Sequence, residues 1–173
     1  MPDQPAPVVA VRRVDHVGIA VPDLDGALDF FKTIFGLRLE LREKNADQGV
    51  EEAMLTPELT SELSARSSPG SRGGAPGGTQ SSRLQLVSPL TPDSTVARYL
   101  ARRGSGMHHL AFEVDDVEAA ATALRGHGLR VIFDDPRPGA SGTRVNFVHP
   151  GDSFGVLVEL VEIASAIPVR HDY

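Results

Sequence analysis

Two histidines, His16 and His109, stand 93 residues apart in stretches that read alike: DHVGIAVPDLDGAL over residues 15–28 and HHLAFEVDDVEAAA over residues 108–121. An imidazole on a strand can give one neutral nitrogen to a metal ion. Each copy also ends on a strand carrying an oxygen donor, Gln85 in LQLVS and Glu159 in GVLVELVE. Glu159 is embedded among valines and leucines, where a carboxylate is costly unless paired or bound to an ion. Two nitrogens and two oxygens form a hard-to-borderline set suited to a divalent ion such as Co²⁺, Mn²⁺, Ni²⁺ or Zn²⁺. No cysteine competes for a softer one. In an octahedral field, four such ligands leave two adjacent positions for a chelating substrate. Taken singly, each residue has an ordinary reading, as a core histidine, a polar strand residue or a carboxylate paired with an arginine. Agreement between duplicated positions makes His16, Gln85, His109 and Glu159 one expected metal site.

Two matching sets of elements must position these residues. With His16 aligned on His109, Val17 falls on Leu110, Ile19 on Phe112, Val21 on Val114, Asp23 on Asp116 and Ala27 on Ala120. The match runs on through GLRL and GLRV to LTP and VHP, which marks an internal duplication. Each copy predicts an alternating strand (14–21 and 109–114), an acidic helix cap and a helix (24–35 and 117–126) ended by Gly36 or Gly128. Three strands follow: 37–43, 50–56 and 84–89 in the first copy, 130–134, 144–149 and 155–163 in the second. On the first strands Val17, Ile19 and Val21 share one face, and His16, Gly18 and Ala20 the other. The bulky face should pack on a helix, leaving the histidine beside small residues. The expected fold class is α+β: two tandem βαβββ modules forming a cupped mixed sheet around a metal site, with the helices outside.

The modules are expected over residues 11–90 and 107–162, within one domain of residues 11–162 and joined by a linker at 91–106. Residues 1–10 read as a disordered lead and 163–173 as a tail. Residues 59–82 are rich in Gly, Ser and Pro and read as a mobile loop that lengthens the first copy only. The net charge is -6, without a long basic run, so nucleic acid is not an expected partner. No apolar run is long enough for a membrane span, and the first residues lack the pattern of a secretory signal. A cytoplasmic setting is expected.

The stretches DHVGIAVPDL, NADQGVEEAML, LQLVSPLTPDSTVARYLARRG, GMHHLAFEVDDV and DDPRPGASGTRVNFVHPGDSFGVLVELVE cover most of residues 12–162 in order. In them the chain resembles the vicinal oxygen chelate superfamily, which includes glyoxalases, bleomycin-resistance proteins and dioxygenases. The likeness is strongest to its methylmalonyl-CoA epimerases. The resemblance implies paired βαβββ modules, ligands at His16, Gln85, His109 and Glu159, a bound divalent ion with Co²⁺ favoured, an acyl-CoA substrate and a homodimer. It implies an isomerase that inverts C2 of methylmalonyl-CoA through an enolate, with Glu52 and Glu159 as the two bases. Alternation alone does not choose between Glu51 and Glu52; Glu52 shares its face with Val50 and Met54, and the resemblance then selects it. The long Gly/Ser-rich segment departs from the family pattern.

Arg137 and Arg144 are candidates for CoA phosphates, against the ordinary reading of solvated arginines. Backbone N–H groups of residues 139–143 are a candidate cradle for the substrate carboxylate. His108 is expected on the apolar side as a structural residue, His149 in a turn, and His127 and His171 are given no role. The alternatives are a glyoxalase-like lyase or isomerase, an epimerase of a related acyl-CoA, an iron-dependent dioxygenase, and a metal-free binding protein. Gln85 as a fourth ligand speaks against the dioxygenase, and the full ligand set against the metal-free protein.

Overall fold

A computed structural model describes residues 6–58 and 82–163, so the Gly/Ser-rich segment and the tail fall outside the described residues except at their edges. The architecture is α+β, with strands β1 (Val11–Ala20), β2 (Leu37–Asn45), β3 (Val50–Pro57), β4 (Arg83–Pro89), β5 (Gly106–Val114), β6 (Arg137–Pro138), β7 (Arg144–Val148) and β8 (Leu157–Glu162). The helices among the described residues are α1 (Leu24–Phe35), α2 (Thr95–Arg103) and α3 (Val117–Gly126), with two short 3-10 turns. None is long and apolar enough to cross a membrane. The chain divides into two compact units, a first of residues 18–107 and a second of residues 1–17 with 108–173. Residues 11–17, His16 among them, fall in the second of these units.

In the first unit the strand order is β2-β3-β4-β1. β2 and β3 are antiparallel with a register break between Leu39 and Leu41, and β3 and β4 are antiparallel with Met54 opposite Gln85 and Glu52 opposite Val87. Asp23 caps α1 by accepting from the Gly26 N–H, and Gly36 ends it at a φ of 65, in the left-handed region that glycine enters freely. Leu24 and Leu28 of α1 pack on Val21, Ala53, Leu55 and Leu86. That is the bulky face anticipated from alternation. α2 was not anticipated, because residues 91–106 read as linker. Its signals are present all the same: the Ser94 side chain accepts from the Ala97 N–H, and Val96, Tyr99 and Leu100 form one apolar stripe. That stripe packs on Ala20, Val50 and Val87, residues that alternate with those under α1. α2 thus lies on the opposite sheet face from α1.

In the second unit the order is β1-β5-β8-β7-β6, so each copy repeats one strand order. β5 and β8 run parallel with Ala111 opposite Glu159; β7 and β8 run antiparallel with Phe147 opposite Glu159. Asp116 caps α3, and Val117 and Ala120 pack on Val114 and Leu160. The strand expected at 130–134 is reduced to one bridge, Val131 with Val148, and β6 forms later, at Arg137–Pro138. Two causes are visible. Pro136 and Pro138 have no N–H to give a ladder. The fully buried Asn146 takes both backbone groups of Phe133, its Oδ1 accepting from the N–H at 3.1 Å and its Nδ2 donating to the carbonyl at 2.9 Å. A side chain replaces the next rung.

Candidate metal centre

β1, β5 and β8 bring three donor atoms together in the second unit. Nε2 of His16 lies 3.0 Å from Nε2 of His109. Oε2 of Glu159 lies 3.2 Å from the first and 3.1 Å from the second. All three residues are buried, at 4–6 % exposure. Alternation explains the meeting: His109 and Ala111 share a face of β5, and Glu159 stands beside Ala111 in the next strand. Ala111 is small and fully buried, so nothing bulky fills the space between imidazole and carboxylate. The ring of Phe147 lies edge-on to His109, with centroids 6.4 Å apart.

The spacing fits a divalent ion. For bonds of about 2.1 Å, donors at right angles to one another are about 3.0 Å apart, whereas tetrahedral donors are about 3.4 Å apart. The three observed edges suit one face of an octahedron. His16, His109 and Glu159 are the one such cluster of metal-capable side chains among the described residues. Without an ion, the donors hold a proton. Burial disfavours the His16 cation, but hydrogen bonds to Asp15 and Glu159 outweigh it and push the pKa up to about 9. Burial likewise raises Glu159, and the charge and hydrogen bonds of His109 and His16 overcome it, bringing the carboxyl down to about 2. An ion taking these atoms displaces that proton.

Each histidine is held from behind by the residue that precedes it. Oδ2 of Asp15 lies 2.8 Å from Nδ1 of His16. Nδ1 of His108 lies 3.0 Å from Nδ1 of His109. His108 was expected to serve the apolar side; instead it touches the other His109 nitrogen. Burial, then the charge of His109, push it down to about 4, so it is a neutral partner at physiological pH. Asp15, Arg13 and Glu113 had not been singled out. A signal existed: both copies place a polar residue immediately before the aligned histidine.

The remaining expected site residues lie in the first unit. Gln85 and Glu52 are on the face of β3 and β4 turned away from α1, and Nε2 of Gln85 donates to Oε2 of Glu52 at 2.7 Å. Both are buried, whereas Glu51 pairs with Arg42 at 2.9 Å. The structure thus distinguishes the two neighbouring glutamates: Glu52 is turned to Gln85, Glu51 to an arginine. Of the phosphate candidates, Arg144 is engaged by Glu118 and Glu162, and Arg137 is stacked over Phe133 at 5.2 Å. In the 139–143 turn, Ser141 has a φ of 56. His149 has the expected turn role, its Nδ1 accepting from the Gly151 N–H at 3.0 Å.

The model of the Glyoxalase/Bleomycin resistance protein/Dioxygenase superfamily matches residues 13–160. The mitochondrial methylmalonyl-CoA epimerase of Homo sapiens is 34% identical over 149 residues, which are 86% of this chain and 72% of that protein. The Ethylmalonyl-CoA/methylmalonyl-CoA epimerase of Cereibacter sphaeroides is 30% identical over 88% of this chain and 99% of its own. A variant of the Streptomyces coelicolor methylmalonyl-CoA epimerase, solved with 2-nitronate-propionyl-CoA, is 41% identical with a TM-score of 0.76, covering 90% of this chain and 100% of the other. From its strand order, its buried two-histidine, one-carboxylate cluster and these matches, the chain belongs to the Glyoxalase/Bleomycin resistance protein/Dioxygenase superfamily, among relatives that are methylmalonyl-CoA epimerases.

Proposed function

We propose that this protein is a metal-dependent isomerase that interconverts (2R)- and (2S)-methylmalonyl-CoA. The observation that carries the reading is the triangle of donors at 3.0, 3.1 and 3.2 Å on His16, His109 and Glu159, in a chain whose relatives bear that activity in their names. Gln85 holds in the first copy the place of Glu159 in the second, and on that correspondence and the family resemblance it is carried in this reading as a further candidate ligand. Its Nε2 is engaged by Glu52. The set of two nitrogens and two oxygens, with no thiolate, suits Co²⁺, Mn²⁺, Ni²⁺ or Zn²⁺, and it is the family resemblance that puts Co²⁺ first. When bound, the ion would stabilise negative charge growing on the substrate oxygens.

The protein's own groups handle the proton. C2 lies between a thioester and a carboxylate, so its C–H bond is acidic. A carboxylate on one side takes the proton to its oxygen, and the electron pair of the C–H bond moves into the thioester, giving a planar enolate. A carboxylic acid on the other side returns a proton to C2 and inverts it. Glu52 and Glu159 are the pair we assign. The hydrogen bond from Gln85 fixes the orientation of Glu52, and the histidines fix that of Glu159. The finer parts of the reading are a homodimer and a cytoplasmic setting. Phe30, Ile34 and Phe35 stand exposed on α1, an apolar surface that a second copy would cover, and a chain without cysteine suits a reducing compartment.

The test is exchange of the C2 proton for deuterium in (2R)- and (2S)-methylmalonyl-CoA, with chelator-stripped and Co²⁺-loaded protein. Exchange and inversion with both epimers, dependent on the ion, are expected. No exchange with either epimer in the loaded protein would sink the reading.

A further inference from the structure

Asp15 is a carboxylate at 1 % exposure, and a charge that deep must be compensated. Its Oδ2 takes the Nδ1–H of His16 at 2.8 Å. Its Oδ1 accepts from Nη2 of Arg13 at 2.8 Å, and Nε of Arg13 donates to Oε2 of Glu113 at 2.6 Å. A line of groups therefore runs from Glu113 through Arg13 and Asp15 to His16. One consequence follows from its chemistry. Because Nδ1 of His16 donates to Asp15, the neutral ring that an ion would bind keeps its hydrogen on Nδ1 and offers its lone pair on Nε2, the atom that faces His109 and Glu159.

We propose that Asp15, held in place by Arg13, is a positioning residue that fixes His16 as an Nε2 donor to a divalent cation. This rests on the metal reading of the preceding subsection and goes beyond it by assigning a residue outside the ligand set. At the aligned position of the other copy stands His108, which presents an imidazole and no negative charge to His109. The two ligating histidines are therefore unequal, and His16 is the more strongly polarised. If Asp15 served only as an ion-pair partner for Arg13, its neutral isostere would change stability and leave ion binding alone.

The experiment is calorimetric titration of chelator-stripped protein with Co²⁺, with the visible spectrum of the loaded protein and the melting temperature of the stripped one. Asp15→Asn should bind Co²⁺ about 10- to 100-fold more weakly, as is usual when an outer partner of a ligand is lost, and its Co²⁺ bands should shift. Arg13→Gln keeps Asp15 and should lose less, within about tenfold. Wild-type affinity and spectrum in Asp15→Asn, whatever its melting temperature, would overturn the proposal while leaving the metal site standing. Should Asp15→Asn not fold, unchanged Co²⁺ affinity in Arg13→Gln would overturn it instead. Failure of the wild-type protein to bind any of the four divalent ions would overturn the metal reading itself, and this inference with it.

Discussion

The strand that carries His16 and the strand that carries His109 are copies of one another, yet they hold their imidazoles by different chemistry. Behind His16 stands a carboxylate, Asp15, tied to Arg13. Behind His109 stands a second imidazole, His108. The last strands differ in the complementary sense: Gln85 is neutral where Glu159 is acidic. Each copy therefore contributes one carboxylate at these four positions, the first through Asp15 and the second through Glu159. The helices diverge too. Leu24 and Leu28 of α1 align with Val117 and Ala121 of α3, so the first copy buries larger side chains against its sheet. Duplication preserved where side chains point, because backbone geometry sets that, and left free which groups fill the positions.

The largest effect should come from breaking both copies at their shared position. His16→Ala and His109→Ala should each remove most of the bound ion and most of the epimerase activity, since each deletes a ligand. His108→Ala should retain the ion, with a smaller loss of affinity than Asp15→Ala. Metal analysis after gel filtration checks this, and a His108→Ala protein that loses its ion while His109→Ala keeps it would reverse the assignment. Next comes the pair of bases. Glu52→Gln should keep the ion and slow inversion by about 10²- to 10⁴-fold. It should still exchange the C2 proton of one epimer, because the remaining carboxylate can remove and return a proton on its own side. Glu159→Gln should be worse, because it weakens the metal centre as well. Near wild-type inversion by Glu52→Gln would take Glu52 out of the mechanism.

Stability sharpens the comparison of the helices. Leu28→Ala should cost about 2–5 kcal/mol, the usual range for a buried leucine truncated to alanine. At the aligned position, Ala121→Gly should cost about 1 kcal/mol, mainly helix propensity. Denaturant unfolding of the two variants measures both, and equal losses would mean that the two helix–sheet contacts matter alike.

The comparison also carries a pH signature, from His16 and His108, in chelator-stripped protein. His16 rises from 6.5 to about 9, so its stabilising contribution is complete below pH 6.5 and is lost as pH climbs towards 9. His108 falls from 6.5 to about 4, so its contribution is complete above pH 6.5 and is lost as pH drops towards 4. The stripped protein should melt highest near pH 6.5. His108→Gln should flatten the acid side between pH 6.5 and 4 and leave the alkaline side unchanged; an unchanged acid side would show that His108 is not held neutral by its surroundings.

Much of this protein could be read from its residues in order. Alternation assigned the faces of β1 and β5, Asp23 and Asp116 marked both helix starts, and the repeat made His16, Gln85, His109 and Glu159 stand out as a set. These are local or periodic signals, carried by side-chain direction and hydrogen-bonding capacity within a few residues. What the chain in sequence did not disclose depends on contacts between segments far apart. Asn146 satisfying the backbone of Phe133 shortened an expected strand. The Val96, Tyr99 and Leu100 stripe found a surface on Ala20, Val50 and Val87, and a presumed linker became a helix. The first residues of β1 joined the second half of the chain, which is why His16 meets His109 and Glu159 there. Only that folded arrangement placed Asp15, Arg13 and Glu113 in line behind His16, because partnership across 100 residues is a matter of tertiary distance, and no spacing along the chain encodes it.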